Sequence, residues 1–405
     1  MHEAPHIVTL TEHDSVLLPV QALSDEEAQR LDERYRDQIQ VEPPSFRTEH
    51  QWRITAQSWV GFIPLTADLA FRLQPKVPLR SLFGMWEYAY RIKSFHFLDE
   101  LIGVAALEAF YEQLALILAR RVLDRLQKGL HRTYLSCHQR LSYVRGSLDI
   151  GQMARRPWDV SLPCDFQEHT ADIEDNQILT YTLWRILSSG ICSERVLPTV
   201  RNAYRGLLAM TTFRPVHPNA CGNRRYHRLN QDYHPLHALS RFFLEQSGPT
   251  HRVGDRQIMP FLVDMARLFE LFVAEWLKAH LPLGWQVQAQ ERIAFGQGQN
   301  QSFQIDLVLR RLDTGEAVMV LDTKYKDPRS PATGDVEQVV AYAEALGCQH
   351  AVLIYPTDLA QPLDTVIGEI HVRTLTFNLA ADLETAGQRF LERLLAAAPG
   401  WILCP

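Results

Sequence analysis

The chain has 405 residues, more than one ordinary hydrophobic core accommodates, so we expect two or three domains. With 46% hydrophobic and 22% charged residues, the composition is that of a globular protein and not of an extended disordered one. The net charge of −6 argues against a protein that coats nucleic acid non-specifically.

The cysteines and the apolar segments indicate the compartment. The six cysteines are scattered without a CxxC pair, which argues against a zinc site or a disulfide framework and favours a reducing environment. The first residues, MHEAPHIVTLTEHD, lack the pattern of a secretory signal. The longest apolar stretches contain acids and are shorter than the roughly 20 residues that a bilayer span needs. We therefore expect a cytoplasmic protein that does not cross a membrane.

Charge is unevenly distributed along the chain. Residues 1–50 hold eleven acids against four arginines, whereas residues 120–156 hold nine lysines and arginines against two acids. Blocks of opposite sign suggest separate surfaces for separate partners, and the basic block is a candidate for contact with DNA. Taken alone, each block is equally consistent with an ordinary solvated face.

The first 250 residues predict two domains. Residues 1–95 mix short extended stretches with a helix, SDEEAQRLDERYRDQI, whose Ser24 and Glu27 match a capping box, and we expect a small β-rich or mixed domain. Residues 96–250 are mostly helical: apolar residues recur at helical spacing over about 99–130, and DIEDNQILTYTLWRILSSG begins with an acidic turn. The polar segment EQSGPTHRVGDRQ marks a boundary.

Residues 255–405 predict one α/β domain around a mixed sheet. The segment PFLVDMARLFELFVAEWLKAHL has the apolar stripe of a helix. Three strand-like segments follow, then a helix over 335–346, two more strands and a last helix over about 381–397. The order α-β-β-β-α-β-β-α is typical of helices that flank a sheet.

The predicted hairpin IDLVLRRLDTGEAVMVLDTKYK carries charged residues within strands that are otherwise apolar and expected to be buried. Because side chains alternate along a strand, Asp322 and Lys324 share a side. Asp306 and Asp322 are equidistant from Thr314 in the turn, so a regular hairpin sets them opposite each other, with Cβ atoms about 5 Å apart. A bulge would upset that register. Two carboxylates this close repel each other unless a cation neutralises them.

This D-x₁₅-D-x-K pattern supplies the smallest set of side chains that metal-assisted phosphodiester hydrolysis needs. Mg²⁺ prefers carboxylate oxygens, keeps several waters and often shares its shell with a phosphate. The lysine could hold or deprotonate the attacking water, or neutralise charge that develops in the transition state. The alternative is that these residues are ordinary strand-end charges, because a DxK triplet alone is common.

The next helix, DVEQVVAYAEAL, places Gln338 and Tyr342 on one face. With the hairpin and the preceding MARLFELFV helix, this Q-x₃-Y pattern resembles the PD-(D/E)XK nuclease superfamily. The segment VLDTKYKD…DVEQVVAYA is most similar to the McrC family, the nuclease subunits of McrBC-type modification-dependent restriction systems. This family is also resembled in three earlier stretches of the sequence, PKVPLRSLFGMWEYA, LSYVRGSLDIGQM and DIEDNQILTYTLWRIL.

The resemblance implies a DNA endonuclease that depends on Mg²⁺, with Mn²⁺ as a substitute. It makes Asp306 and Asp322 metal ligands and Lys324 the catalytic lysine. It also implies that Gln338 positions the scissile region, with Tyr342 beside it. The second motif acid is Asp where the superfamily often has Glu, which alters the reach to the metal.

Two further acids have open roles. Glu270 stands where many superfamily members add a metal-associated acid, but it is equally consistent with an exposed glutamate paired to a neighbouring base. Asp335 is expected to be the N-cap of its helix and not a ligand.

The resemblance also implies a partner and a role in anti-phage defence. The N-terminal part would dock on a GTP-hydrolysing, McrB-like AAA+ ring that recognises modified DNA. Two alternatives stay open at this point. The chain could be a nuclease that acts without a motor, or a catalytically inert adaptor that stimulates a partner NTPase.

Overall fold

The computed structural model describes residues 6–66, 69–90, 107–222, 224–246, 251–253, 256–258, 260–295 and 301–398. The chain divides into two compact units. The first comprises Met1–Leu107, Gly248–Arg256 and Pro260–Pro405, and the second comprises Glu108–Ser247 and Gln257–Met259. The predicted N- and C-terminal segments thus lie mainly in one unit, and the predicted middle segment makes up most of the other.

Short strands and two helices form the described N-terminal part of the first unit. The strands are β1 (His6–Thr11), β2 (Ser15–Leu18), β3 (Ile39–Glu42), β4 (Trp52–Ala56), β5 (Trp59–Pro64) and β6 (Leu69–Gln74), and the helices are α1 (Asp25–Tyr35) and α2 (Leu79–Ala89). The predicted capping box of α1 is confirmed, because Ser24 and Glu27 each accept a hydrogen bond from the backbone N–H of the other.

The second unit is helical with one small sheet. Its elements are α3 (Leu107–Lys128), β7 (Thr133–Leu141), β8 (Ser147–Leu148), α4 (Ile150–Arg155), β9 (Leu162–Thr170), α5 (Glu174–Ser189), α6 (Leu197–Leu208) and α7 (Tyr233–Glu245). The long helix is present as α3, and its predicted first part, 99–106, lies outside the described residues. The sheet, in the order β7-β9-β8, was not predicted. None of the described helices is long and apolar enough to span a bilayer.

The C-terminal part of the first unit is built on a mixed sheet, as predicted. The short strands β10 (His251–Val253) and β11 (Arg256–Ile258) come first in the chain, and most of β11 belongs to the second unit. The elements of the C-terminal part are then β12 (Leu262–Asp264), α8 (Met265–His280), β13 (Trp285–Phe295), β14 (Gln301–Arg311), β15 (Ala317–Thr323), α9 (Thr333–Leu346), β16 (His350–Tyr355), β17 (Asp364–Ile367), β18 (Ile370–Thr376) and α10 (Leu383–Ala397). In the described residues the order is β13-β14-β15-β16-β18-β17, with β15, β16 and β18 parallel. The edge strand β17 was not predicted.

The middle strands of this sheet are buried along almost their whole length. The residues of β15 and β16 are apolar and buried with few exceptions, as expected for strands covered on both faces. Val308 and Val320 share a core with Val339 and Tyr342 of α9. The charged residues of the hairpin therefore stand at the end of an apolar layer.

Strand β12 fixes the start of α8 on the N-terminal sheet. It pairs antiparallel with β5 and extends the sheet order β1-β6-β5-β12. Gly61 of β5 has φ +147°, and a Cβ there would lie 2.1 Å from the carbonyl oxygen of Phe261, so only glycine allows this approach. Asp264, the last residue of β12, caps α8 by accepting a hydrogen bond from the backbone N–H of Arg267.

Candidate active site

The two predicted acids of the hairpin lie together. Leu307 pairs with Leu321 in the β14–β15 ladder, so the next step of this register brings Asp306 opposite Asp322. The register does shift after Leu309, but this irregularity lies on the turn side of the pair and leaves the acids aligned.

Each acid has its own partner. The Oδ2 atom of Asp306 accepts hydrogen bonds from the backbone N–H of Thr323, at 3.0 Å, and from its hydroxyl, at 2.9 Å. Asp322 is only 1% exposed, and its Oδ2 atom lies 2.8 Å from Nζ of Lys324. The backbone N–H of Lys324 donates to the carbonyl oxygen of Ile354, which holds the lysine at the end of β15.

The helix that follows the hairpin supplies the second contact of the lysine. Nζ of Lys324 donates to Oε1 of Gln338 at 2.9 Å, and Nε2 of Gln338 donates to the hydroxyl of Tyr342 at 2.6 Å. The predicted shared helix face of Gln338 and Tyr342 is therefore confirmed. Since Tyr342 engages the amide nitrogen, the amide oxygen faces the ammonium.

The electrostatics of the site reflect crowded carboxylates. Burial and the neighbouring Asp306 raise the pKa of Asp322 to about 6, although Lys324 opposes the shift. Burial alone would lower the pKa of Lys324, but the nearby carboxylates, Asp322 above all, outweigh it and raise that pKa. The lysine is therefore a cation at neutral pH.

Glu270 of α8 belongs to the same cluster. Burial and the charge of Asp306 raise the pKa of Glu270 to about 7, and Asp322 contributes in the same direction. Its carboxylate accepts a hydrogen bond from Gln290 of β13, which in turn accepts one from Gln304 of β14. The structure thus brings Glu270 to the two hairpin acids.

Gln290 is a site residue that no pattern in the sequence indicated. Ala289 pairs with Leu307 and Glu291 with Ile305, so Gln290 falls opposite Asp306. Its φ of +57° lies in the left-handed region, which is uncommon for a residue other than glycine within a strand.

The predicted role of Asp335 as an N-cap is wrong. Helix α9 begins at Thr333, two residues earlier than expected, after the N-cap Ala332, and no side chain caps it. Asp335 instead pairs with Lys326, and its Oδ1 atom lies 3.9 Å from Nζ of Lys324. It is a further acid beside the lysine.

The carboxylates of Asp306, Asp322 and Glu270 offer oxygen ligands of the kind that a hard divalent cation such as Mg²⁺ prefers. Within the described ranges, no group of three or more His, Cys, Asp or Glu side chains is arranged to hold a metal ion. Mg²⁺ does not need such a cage, because it is commonly bound through one or two carboxylates, with waters and a substrate phosphate filling the octahedron. Burial, and after it the charge of Asp306, raises the pKa values of Asp322 and Glu270, and a bound cation would favour the charged form of both carboxylates.

Comparison with known proteins places the chain in a family. A family model described as "McrBC 5-methylcytosine restriction system component" matches residues 54–356. A similar chain occurs in a solved structure, a refined half-complex from a tetradecameric assembly of Thermococcus gammatolerans McrB AAA+ hexamers with bound McrC. The two chains are 18% identical with a TM-score of 0.54, and the match covers 96% of this chain and 99% of that one. A chain in the cryo-EM structure of the Thermococcus gammatolerans McrBC complex has 19% identity and TM-score 0.41, covering 67% of this chain and 87% of that one.

No curated protein matches the chain. The family model nevertheless covers well over half of the sequence and includes both hairpin acids, the lysine and the Q-x₃-Y pair. The chain therefore belongs to the family of McrBC 5-methylcytosine restriction system components, and the predicted relation to McrBC-type systems is confirmed.

Proposed function

We propose that this chain is the nuclease subunit of a McrBC-type restriction system, a Mg²⁺-dependent DNA endonuclease whose C-terminal sheet is of the PD-(D/E)XK type. The observation that carries the proposal is the convergence of Asp306, Asp322 and Lys324 at the end of one hairpin, with the ammonium 2.8 Å from Asp322. Membership of the McrBC family supports it.

The chain's own residues have separate tasks in this proposal. Asp306 and Asp322 hold the cation, with Glu270 as a further acid beside them. When bound, Mg²⁺ polarises a phosphate oxygen and lowers the pKa of a bound water. Lys324, whose pKa the nearby carboxylates raise, stabilises negative charge that develops on the phosphate in the transition state. Gln338 keeps the ammonium in place, and Tyr342 orients Gln338.

The proposal includes two macromolecular partners. The acidic N-terminal part docks on an McrB-like AAA+ GTPase ring. A similar chain in a complex of McrB hexamers with bound McrC supports the choice of such a ring as partner. DNA contacts the basic segment 120–156. Several cations of this segment are already paired with acids, but Arg132, Arg155 and Arg156 are exposed.

Cleavage of plasmid DNA, with and without the ring partner, tests the proposal. Wild type and Asp322→Asn are incubated with Mg²⁺ or Mn²⁺, alone and together with the ring and GTP. We expect cleavage by wild type in the presence of ring and GTP, and none by the variant. Equal cleavage by wild type without the ring would favour the stand-alone nuclease. If wild type and Asp322→Asn both stimulated GTP hydrolysis by the ring but neither cleaved DNA under any of these conditions, the inert adaptor would be favoured and the proposal contradicted.

A further inference from the structure

Glu12 is a buried acid that the proposed reaction does not use. It follows β1, where the parallel strands β1 and β6 end together, and it is 0% exposed. Its Oε2 atom accepts hydrogen bonds from the backbone N–H of Lys76, at 2.9 Å, and from the hydroxyl of Tyr325, at 3.1 Å. These hydrogen bonds join the N-terminal sheet to the segment directly after β15.

The stability of the fold does not explain an acid at this position. The Oε1 atom of Glu12 is buried without a hydrogen-bond partner in the part of the chain that the structure describes. Burial also raises the pKa of Glu12 to about 7, although the hydrogen bonds from Lys76 and Tyr325 oppose this shift. A buried carboxyl group with one oxygen unpaired costs free energy that an apolar side chain of similar size would not cost.

Tyr325 is fixed at both its ring and its hydroxyl. The ring packs against Phe269 of α8, with 5.9 Å between the ring centroids. The hydroxyl is the donor to Glu12, since burial and the adjacent carboxylate raise the pKa of Tyr325. Phe269 precedes Glu270 in the helix, so the same tyrosine contacts the element that carries the third acid of the site.

The backbone of Lys324 lies between two anchors. On one side its N–H donates to the carbonyl oxygen of Ile354 at 2.8 Å, one residue beyond the end of β15. On the other side is Tyr325, held by Glu12. A side chain whose ammonium must stay within 3 Å of both Asp322 and Gln338 depends on this backbone position.

We propose that Glu12 is a positioning residue for the Lys324 ammonium and acts through Tyr325, an inference that rests on the proposed nuclease function. Glu12 and Tyr325 are 313 residues apart, so the N-terminal sheet directly restrains the catalytic strand end.

Matched variants test this role in the complete assembly with the ring and GTP. Glu12→Leu and Tyr325→Phe remove the hydrogen bond, whereas Glu12→Gln keeps an acceptor. Tyr88→Phe is the control, because it likewise removes a hydrogen bond that a tyrosine donates to a distant glutamate, here Glu384 of α10. We expect about tenfold slower single-turnover cleavage at saturating DNA for the first two, with unchanged DNA affinity. The cleavage rate of Glu12→Gln stays within about threefold of the wild-type rate. The double variant with Glu12→Leu and Tyr325→Phe cleaves no more slowly than the slower of the two single variants.

Amide hydrogen exchange at Lys324 gives a readout that does not depend on activity. Exchange there rises about tenfold in Glu12→Leu and Tyr325→Phe and stays unchanged in Tyr88→Phe. The inference would be overturned if Glu12→Leu and Tyr325→Phe had lower melting temperatures but cleaved at the wild-type rate when folded. Unchanged exchange at Lys324 in these two variants would overturn it as well. If wild type itself does not cleave, the proposed function fails, and the exchange data alone decide whether Glu12 positions the lysine.

Discussion

The ammonium of Lys324 lies 2.8 Å from a carboxylate oxygen of Asp322, and Asp322 is almost fully buried. The hairpin therefore ends in a buried ion pair and not in a solvated one. Such a pair is costly to break from one side, because the remaining charge stays buried without its partner. Stability and activity must accordingly be measured separately for variants of either residue.

Replacement of Lys324 should abolish most of the cleavage activity while DNA is still bound. Because the ammonium stabilises charge in the transition state, we expect Lys324→Met to lower the single-turnover rate by about 10²–10³-fold. Lys278→Ala, which removes an exposed lysine of α8 paired with Glu275, should cleave like wild type. A rate for Lys324→Met within a few fold of wild type would exclude this role. Circular dichroism at the assay temperature shows whether the variant is folded.

Metal binding should stabilise the wild-type protein through the hairpin acids. At a Mg²⁺ concentration about 100 times the dissociation constant, one site stabilises the folded state by about 2.7 kcal/mol. We expect a clear rise in melting temperature on addition of Mg²⁺, absent in Asp322→Asn. Asp313→Asn changes an exposed acid in the turn of the same hairpin and should keep the full shift. Equal shifts in all three proteins would place the metal elsewhere.

The raised pKa of Glu12 predicts a specific dependence of stability on pH. Its pKa rises from 4.5 to about 7 on folding, so the folded protein keeps a proton that the unfolded chain releases between these values. The resulting stabilisation is present below pH 4.5 and is lost as the pH rises through 7. Relative to Glu12→Gln, wild type should lose about 2–3 kcal/mol of unfolding free energy between pH 5 and pH 8. Denaturant unfolding at both pH values measures this, and parallel profiles would contradict it.

The basic segment 120–156 should bind DNA phosphates. Replacing Arg132, Arg155 and Arg156 by alanine should weaken DNA binding and make the slope of log K against log salt concentration shallower. The change in slope should be about 0.9 for each phosphate that the variant no longer neutralises. Replacement of Arg201 and Arg205, exposed arginines of α6 in the same unit, is the control. An unchanged salt slope in the triple variant would mean that this segment does not bind DNA.

Local patterns allowed much of the C-terminal fold and the hairpin to be predicted. The capping box at Ser24, the alternation of strand residues and the four-residue spacing of Gln338 and Tyr342 depend only on near neighbours in the chain. The alignment of Asp306 with Asp322 followed from their equal distance to the turn, and the bulge near the turn left it intact.

Interactions between distant segments could not be predicted in this way. No local pattern links Glu12 to Tyr325, and none indicates that β12 extends the N-terminal sheet beside Gly61. No local pattern indicates the left-handed conformation of Gln290 either. These features depend on tertiary packing, which overrides local preference.

The most direct test of the nuclease proposal compares two acids of one hairpin. Single-turnover cleavage of DNA by the complete assembly, with ring, GTP and Mg²⁺, is measured for wild type, Asp306→Asn and Asp313→Asn. The proposal predicts that Asp306→Asn loses cleavage while it still binds DNA and the ring, and that Asp313→Asn cleaves at the wild-type rate. Cleavage by Asp306→Asn at the wild-type rate would show that this hairpin is not the catalytic site.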